Sequence, residues 1–439
     1  MADALAAHAA KRASLVESLK QGAGTLALAK DTSNLFRDRE AGERRRLDVR
    51  SFREVLSIKE DFVEAEGMIP YEDLTRECLK HGVMPAVVPQ LKTITLGGAV
   101  AGVGIESSSH RQGLVHDTML ELDVLLGDGR VVACSAGNAH SDLFFGFPNS
   151  YGTLGYALRV KAKTLPVKPY VRLTHVPFGD FSELERHLDA DEADFVDGTV
   201  FSPERKFITL GHFVERAPYT SDYTFENIYY RSIGEKREDY LTVSDYLWRW
   251  DTDWFWCSKN VLAQNPLVRR LYGKQRLGSK TYTRIMRWNS RAGVTKKLER
   301  VLGLHSESVI QDVDIPIRRA DEFLEFYARE IGLWPQWVCP IGVSESRFVL
   351  YPVKPGWYVN FGFWDVKRTR EAHPPGHFNR LIEEKVAELG GIKSLYSDSY
   401  FRAEDFHRRY GGDAYDALKR KYDPTGAFPR LYDKCVLKA

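Results

Sequence analysis

A glycine-rich segment, residues 95–113, constrains this chain more than any other part of its sequence. It reads Thr-Leu-Gly-Gly-Ala-Val-Ala-Gly-Val-Gly-Ile-Glu-Ser-Ser-Ser-His-Arg-Gln-Gly. Glycines at 97, 98, 102 and 104 permit tight turns and let backbone N–H groups approach a ligand closely. Successive N–H groups of this kind form a nest that binds phosphate or the edge of an electron-rich ring. A purely structural turn explains the same glycines equally well.

Two common nucleotide-binding motifs do not fit this segment. A P-loop requires GxxxxGK[ST], and no such string occurs in the chain. A Rossmann fingerprint starting at Gly102 and Gly104 requires a third glycine at position 107, where the sequence has Ser107. The glycines alone therefore indicate a close approach of backbone to ligand without naming the ligand.

Length and composition exclude several classes of protein. A chain of 439 residues suggests two or three domains, and its apolar and charged fractions are those of a globular protein. The longest weakly polar run, residues 93–105, is too short to span a bilayer. Charged residues interrupt the apolar N-terminus, which predicts a cytoplasmic protein without a signal peptide. The five cysteines are scattered with no CxxC, so we expect reduced thiols and no metal site.

The order of predicted elements favours an α+β fold. Alternating apolar residues predict strands at 119–126 and 130–134 around a Gly-Asp-Gly turn, and a strand at 156–164. Further strands are predicted from residue 170 onward, including 348–351, and a helix over 236–250. Because strands and helices do not alternate regularly, a doubly wound parallel sheet is disfavoured.

A resemblance to a known family rests on motifs spread over most of the chain. The segment from Pro89 to Pro166 resembles the flavin-binding half of the vanillyl-alcohol-oxidase superfamily, the PCMH-type FAD-binding proteins, and more specifically its Diminuto-like branch, which includes the Δ24-sterol reductases. The matching motifs are Leu96-Gly-Gly, Gly104-Ile-Glu-Ser-Ser-Ser-His110, Gly127-Asp-Gly129, Ser141-Asp-Leu-Phe144, Gly152-Thr-Leu-Gly155, Val309-Ile-Gln-Asp312, Trp337-Val-Cys-Pro340, Leu395-Tyr-Ser-Asp398 and Ala427-Phe-Pro-Arg-Leu-Tyr-Asp-Lys434.

The resemblance implies a domain organisation and a cofactor. It implies a PCMH-type FAD-binding domain (24–165), an α+β cap domain for the substrate (166–400) and C-terminal helices (401–439) that pack back on the FAD domain. The Ala-rich helical spacing of the first 21 residues predicts an N-terminal helix (1–23) before them. It implies FAD that is bound but not covalently linked. The residues expected to bind FAD are Thr95, Leu96, Gly97, Gly98, Ala99, Gly102, Gly104, Ile105, Glu106, Ser107, Gly152, Thr153 and Gly155.

The implied reaction is reduction of an unactivated C=C bond with NADH or NADPH. No carbonyl stabilises the developing charge in such an alkene, so the site needs an acid in a dry pocket that protonates one carbon. The candidate catalytic residues are Glu106, His110, Asp312 and Tyr396. Three of them have a structural alternative: Glu106 could accept backbone hydrogen bonds in its turn, His110 could be structural, and Tyr396 could be packed at a strand end.

Residues 248–300 combine aromatic rings with positive charge. The stretch 248–256 holds four Trp and one Phe, and residues 257–300 contain twelve Lys or Arg against the single acid Glu299. Trp favours the membrane–water interface and cations favour anionic headgroups, so we expect peripheral contact with an anionic membrane surface. An aromatic core beside a solvated charged face is the alternative. Nucleic acid is not an expected partner, since net charge is only +2.

These expectations lead to one main hypothesis and two others. The first is reduction of a lipid C=C bond, in a methylene-branched fatty acyl chain of a phospholipid or at the Δ24 bond of a sterol side chain. The second is an FAD-dependent oxidase or dehydrogenase of an alcohol or hydroxy acid. The third is a flavin-bearing docking protein without turnover. The sequence does not specify the oligomeric state.

Overall fold

Two antiparallel sheets carry the fold, one of six strands between residues 55 and 166 and one of eight strands between residues 170 and 393. The computed structural model describes residues 2–20, 22, 24–33, 36–37, 43–190, 193–293, 295, 299 and 302–438. The α+β class predicted from the sequence is confirmed. The domain boundaries at 165/166 and 400/401 remain predictions.

The strands within the described residues, in chain order, are β1 Leu26–Ala29, β2 Arg45–Asp48, β3 Val55–Ile58, β4 Phe62–Glu66, β5 Val83–Pro85, β6 Met119–Leu125, β7 Val131–Ser135, β8 Tyr156–Pro166, β9 Tyr170–Pro177, β10 Phe195–Ser202, β11 Arg205–Val214, β12 Glu238–Thr242, β13 His305–Pro316, β14 Gln336–Val343, β15 Gly356–Thr369 and β16 Ile392–Lys393.

The α-helices within the described residues are α1 Ala2–Lys20, α2 Tyr71–Leu79, α3 Leu96–Ala101, α4 Ser109–Gln112, α5 Ser141–Gly146, α6 Phe181–Ala190, α7 Tyr229–Ser232, α8 Val243–Leu247, α9 Pro266–Tyr272, α10 Ser279–Ala292, α11 Ala320–Glu330, α12 His377–Glu388, α13 Ala403–Arg409, α14 Gly412–Tyr422 and α15 Leu431–Cys435. None of the helices in the described residues has the length and apolar character needed to cross a membrane.

The six-stranded sheet has the order β3-β4-β8-β6-β7, with β5 paired to β8. Its long strand β8 alternates buried and partly exposed residues, as a strand with one packed face must. Strands β1 and β2 form a separate parallel pair beside it. The C-terminal helices pack back on this half: the Lys419 ammonium donates to the Thr153 carbonyl (2.8 Å), and the Tyr422 hydroxyl donates to Asp142 (2.6 Å).

The eight-stranded sheet has the order β12-β9-β11-β10-β14-β15-β13-β16. On one face it packs against helices α6, α11 and α12, where Phe181 and Phe323 both contact Phe361. On the other face its aromatic residues join a core shared with the six-stranded sheet. Side chains from both halves therefore meet between the two sheets.

Three local predictions are wrong. Residues 236–250 do not form one helix, because 238–242 pair with the edge strand β9 before the short helix α8 begins. Residues 348–351 form a turn rather than a strand, and the Leu350 carbonyl accepts a hydrogen bond from the Asn149 side chain. Residues 96–101, expected as tight turns, form helix α3.

The aromatic stretch 248–256 belongs to the core and not to a membrane-facing surface. Trp250, Trp254 and Trp256 are each at most 2% exposed, Phe255 is buried and Trp248 is half-buried. These rings pack against one another and against Trp364, which removes their area from water. Lys296, Lys297, Arg300 and the Arg291 side chain of the basic tract lie outside the described residues.

Candidate functional site

A cavity lies between the glycine-rich segment, the strand pair β1–β2 and the aromatic face of the eight-stranded sheet. Of the residues expected to bind FAD, those that line it are Thr95, Gly97, Gly98, Ala99, Gly102, Gly104, Ile105, Gly152 and Gly155. Leu96, Glu106, Ser107 and Thr153 do not line it; they are buried directly behind the wall. Among the described lining residues, Asp312 is the one acid, and Lys30, Arg44 and Lys434 are the cations.

Helix α3 forms despite its two glycines because its start is capped and its packing needs a small residue. The Thr95 hydroxyl accepts a hydrogen bond from the Gly98 N–H (3.2 Å), which caps the helix. A Cβ on Gly97 would lie 2.8 Å from the Gly67 carbonyl oxygen. Gly97 therefore lets the helix approach the end of β4, and this contact fixes the position of the glycine-rich segment.

Residues 103–105, which follow α3 and its C-cap Gly102, present unpaired backbone donors to the cavity. Val103, Gly104 and Ile105 all line it, and their N–H groups have no hydrogen-bond partner among the described residues. Consecutive free N–H groups of this kind bind an anion such as a pyrophosphate. Gly104 allows close packing against Val115, since a Cβ at position 104 would lie 2.5 Å from Val115 Cγ2. This segment therefore fits the phosphate groups of FAD.

A second loop that lines the cavity has an unusual backbone, and it is hydrogen-bonded to the end of α3 through the N–H groups of Asn149 and Tyr151. Asn149, Tyr151, Gly152 and Gly155 all have positive φ, between 50° and 140°. At Gly155 a Cβ would lie 2.7 Å from the Leu125 carbonyl oxygen, so only glycine fits there. The Lys434 ammonium donates to the Tyr151 carbonyl (2.6 Å) and ties the C-terminal segment to this loop.

Four aromatic residues form the cavity wall on the cap side: Trp254, Phe255, Trp337 and Trp364. Phe255 stacks on Trp364, with ring centroids 4.2 Å apart and planes tilted by 26°. Trp254 and Phe255 have φ of 44° and 59°, a backbone conformation that is costly for bulky residues. The surrounding packing holds these two rings in the wall at that cost, as is typical of residues that shape a binding site.

Asp312 lies in this aromatic wall and forms no ion pair with a described residue. Its Oδ1 has no hydrogen-bond partner in the part of the chain that the structure describes. Burial raises the pKa of Asp312 to about 7, with a smaller contribution from Asp314; a hydrogen bond to Tyr396 acts in the opposite direction. The Tyr396 hydroxyl in turn accepts from the Trp364 indole N–H (2.9 Å). The strand pairing places Gly362 opposite Asp312, and a Cβ there would lie 2.7 Å from Oδ1.

Glu106 lies in a different environment, behind the wall. Its carboxylate and that of Asp197 share the guanidinium of Arg249, at 3.2 and 2.8 Å, and all three side chains are at most 2% exposed. Burial is the main cause that raises the pKa of Glu106, and Arg249 opposes it. The Ser107 hydroxyl donates to Glu106 (2.7 Å), and the Gln90 amide also donates to it. Gln90 lines the cavity, so the carboxylate is one side chain away from it.

His110 is also separated from the cavity. Its two ring nitrogens face the carbonyl oxygens of Ser107 (2.9 Å) and Ala193 (3.0 Å). Burial lowers the pKa of this imidazole. The structure therefore brings Asp312 and Tyr396 to the cavity, and it places Glu106 and His110 in the contact between the two halves.

Several lining residues were not singled out from the sequence. Trp337 and Lys434 belong to motifs that carried the family resemblance, so their motifs were a usable signal. Trp254 and Phe255 were interpreted as surface residues. Lys30 and Arg44 come from short segments around β1 and β2 that carry no motif.

Comparisons with known proteins agree with this geometry. A family model described as an FAD binding domain matches residues 9–135. The chain is 26% identical over 399 residues to the Delta(24)-sterol reductase of Homo sapiens, covering 86% of this chain and 74% of that protein. It is 24% identical over 459 residues to the Delta(24)-sterol reductase of Pisum sativum, covering 89% and 76%. Cytokinin dehydrogenase 7 of Oryza sativa subsp. japonica is 31% identical over 147 residues, 32% of this chain and 28% of that protein.

Proposed function

Since the chain belongs to the FAD-linked oxidoreductases, in their Diminuto-like branch, we propose that it reduces an unactivated C=C bond in a lipid with NADH or NADPH. Two substrates have the required chemistry: a methylene-branched fatty acyl chain of a phospholipid, which becomes methyl-branched, and a sterol side chain with a Δ24 bond. The names of the full-length relatives support the sterol class. The predicted contact of the basic tract with anionic membranes supports the phospholipid.

Residues 95–105 and 152–155 hold FAD in this proposal. The free N–H groups of residues 103–105 donate hydrogen bonds to the pyrophosphate. Lys30, Arg44 and Lys434 give the cavity positive charge. FAD, when bound, supplies hydride to a carbon of the alkene, with the nicotinamide as the source of the electron pair.

This arrangement can be tested at Gly98. A Cβ on Gly98 would meet only the Thr95 hydroxyl and otherwise open space. We expect Gly98→Val to displace that cap, narrow the cavity and release FAD, leaving the purified protein colourless. Gly137→Val is the matched control, because a Cβ there meets nothing within 4 Å and Gly137 is exposed. Full FAD content in Gly98→Val would place the cofactor elsewhere.

The observation that carries the proposed reaction is a buried carboxyl group, that of Asp312, in an aromatic wall. With a pKa of about 7, Asp312 holds a proton up to near neutral pH; the residue lines the cavity, and its Oδ1 has no hydrogen-bond partner among the described residues. When the less substituted alkene carbon accepts that proton, the neighbouring carbon becomes a tertiary cation. The faces of Trp254, Phe255, Trp337 and Trp364 can stabilise this charge, and the apolar wall excludes water that would trap it.

The central experiment is Asp312→Asn in the FAD-loaded protein. Asparagine has nearly the same shape but cannot donate a carboxyl proton, so we expect lipid reduction to fall by about 10²–10⁴-fold. Bleaching of the flavin by NADPH under anaerobic conditions needs no proton from Asp312 and should keep its rate. Mass spectrometry of methylene-branched phospholipid and of Δ24-sterol separates the two substrates by the gain of two hydrogens. Normal lipid reduction by Asp312→Asn would remove Asp312 from the mechanism.

The match to cytokinin dehydrogenase 7 covers only the flavin half, which leaves an oxidase or dehydrogenase as the second candidate. A flavin that is bleached by an alcohol and not by NADH or NADPH would support that reading. A flavin that is bleached by neither would support a docking protein without turnover.

A further inference from the structure

Large exposed apolar side chains concentrate on one short segment of the surface. Leu262, Leu267, Leu271 and Trp288 are 62–80% exposed, and we call these four residues the leucine patch. They fall within 27 consecutive residues that include helix α9 and the first ten residues of α10. Soluble domains seldom expose several large apolar residues together unless the surface binds something.

The helix geometry keeps these residues on the outside. Leu267 and Leu271 are four residues apart on α9, so they lie on the same side of that helix. On α10, Trp288 is four residues from Arg284 and shares its side, whereas Tyr282 and Met286 pack into the core. Both helices thus present apolar and cationic residues together.

The segment that carries the leucine patch has charge of one sign, although Arg270, Lys274 and Lys280 pair with acids of other segments, Glu226, Asp222 and Glu72. No Asp or Glu occurs from residue 254 to residue 298, while residues 254–293 contain nine Lys or Arg. Exposed members are Arg270, Lys274, Arg276, Lys280, Arg284 and Arg287. Arg276 and Arg284 make no ion pair with any described residue. Arg269 differs, because it is buried and paired with Asp253 (2.6 Å).

The same segment reaches the cavity. Trp254 and Phe255, a few residues before Leu262, form part of the cavity wall. The Arg287 guanidinium donates to the carbonyl of Ser33, a residue that also lines the cavity. The part of the surface that carries the leucine patch therefore lies close to the cavity.

We propose that the leucine patch inserts into the anionic leaflet of a lipid bilayer while the surrounding Lys and Arg bind the headgroups. Apolar side chains with a rim of cations fit the interface of an anionic bilayer, and an acidic protein surface offers no apolar layer for them. Membrane binding by the leucine patch does not depend on the proposed function. The further step, delivery of a lipid chain from that bilayer to the cavity, rests on it.

The test measures binding of the full FAD-loaded chain to vesicles of phosphatidylglycerol mixed with phosphatidylcholine, and to phosphatidylcholine alone. We expect binding to the anionic vesicles only, weakening as the Debye length falls from about 30 Å at 0.01 M salt to about 10 Å at 0.1 M. The double variants Leu267→Glu/Leu271→Glu and Arg276→Glu/Arg284→Glu should each lose about tenfold or more of this binding. Leu5→Glu/Leu437→Glu, at exposed leucines elsewhere, is the control and should bind as wild type does.

A second measurement locates the insertion. Brominated acyl chains quench tryptophan within the bilayer, so they should quench wild-type fluorescence and lose most of that effect in Trp288→Phe, since the Trp cluster at 250–256 is buried. FAD content reports that each variant is folded. Equal binding by the leucine variant and wild type, or a changed oligomeric state without a change in binding, would overturn the proposal. Retained vesicle binding without reduction of any lipid would instead count against the proposed function.

Discussion

Two buried carboxylate sites flank the same cavity, and they are built in opposite ways. Glu106 and Asp197 share the guanidinium of Arg249, receive hydrogen bonds from neighbouring side chains and lie behind the wall. Asp312 lies in the wall, which also holds a tyrosine and three indoles, and it has no ion-pair partner in the part of the chain that the structure describes. In the first site a guanidinium compensates the carboxylates, while in the second burial raises the pKa of Asp312 to about 7, which favours the neutral acid below that pH.

The difference separates two uses of a buried acid. A paired carboxylate holds parts of a structure together, and in this protein Arg249 joins Glu106 of the glycine-rich segment to Asp197 of the cap sheet. An unpaired carboxyl at a cavity costs stability when ionised, so its natural form is the neutral acid, which can donate a proton. Proximity to a glycine-rich motif is therefore a weaker guide to a catalytic acid than the absence of a counter-ion.

The largest expected effect comes from removing the cation of the compensated site. Arg249→Met leaves two buried carboxylates without a partner, so we expect the free energy of unfolding to fall by about 3–5 kcal/mol. Urea denaturation of the FAD-loaded protein measures this. The uncompensated carboxylates would have raised pKa values in the folded state, so the loss should shrink on going from about pH 8 to about pH 5. Asp312→Asn is the control, and its stability should stay near that of wild type or rise.

A loss of less than about 1 kcal/mol in Arg249→Met would mean that the charge cluster is not what joins the two halves. Glu106 would then have no demonstrated structural role, and the contrast between a structural carboxylate and a catalytic one would be weaker.

The next effect concerns the pH dependence of the uncompensated site. If Asp312 donates the proton, kcat/KM for the lipid is highest below its pKa of about 7 and falls by about tenfold per pH unit above it. The residual activity of Asp312→Asn should not show this decrease of kcat/KM with rising pH, which we call the alkaline limb. Reduction of the flavin by NADPH is the internal control and should not follow the same titration. An unchanged limb in Asp312→Asn would assign the titration to another group.

Local patterns in the sequence predicted the sheets well. The hairpin of β6 and β7 and the strand β8 follow from alternating apolar residues and a Gly-Asp-Gly turn, which are short-range signals. Helix α3 was missed because glycine disfavours helices, whereas the Thr95 cap and the contact with Gly67 that stabilise it depend on the folded chain.

The site was predicted less well because its chemistry depends on distant partners. Arg249 is 143 residues from Glu106 in sequence, and no local pattern near either residue predicts that they form an ion pair. The Trp-rich stretch was assigned to the surface because composition does not distinguish a core from an interface. Two acids of the same stretch, Asp251 and Asp253, are buried partners of Ser279 and Arg269, which lie 28 and 16 residues away in sequence. Asp312 was named from its motif, but only its cation-free surroundings distinguish it from the other candidates.

The smallest expected effect is at Glu106, and it decides between the two sites. Glu106→Gln keeps the shape and hydrogen-bonding capacity of the side chain, and Arg249 stays paired with Asp197. Since the cluster then holds one carboxylate and one guanidinium, we expect stability to change by less than about 1 kcal/mol. Because Glu106 does not line the cavity, lipid reduction should fall less than about tenfold and keep its limb near pH 7. A fall of about 10²–10⁴-fold together with loss of that limb would make Glu106 the proton donor and Asp312 a packed side chain.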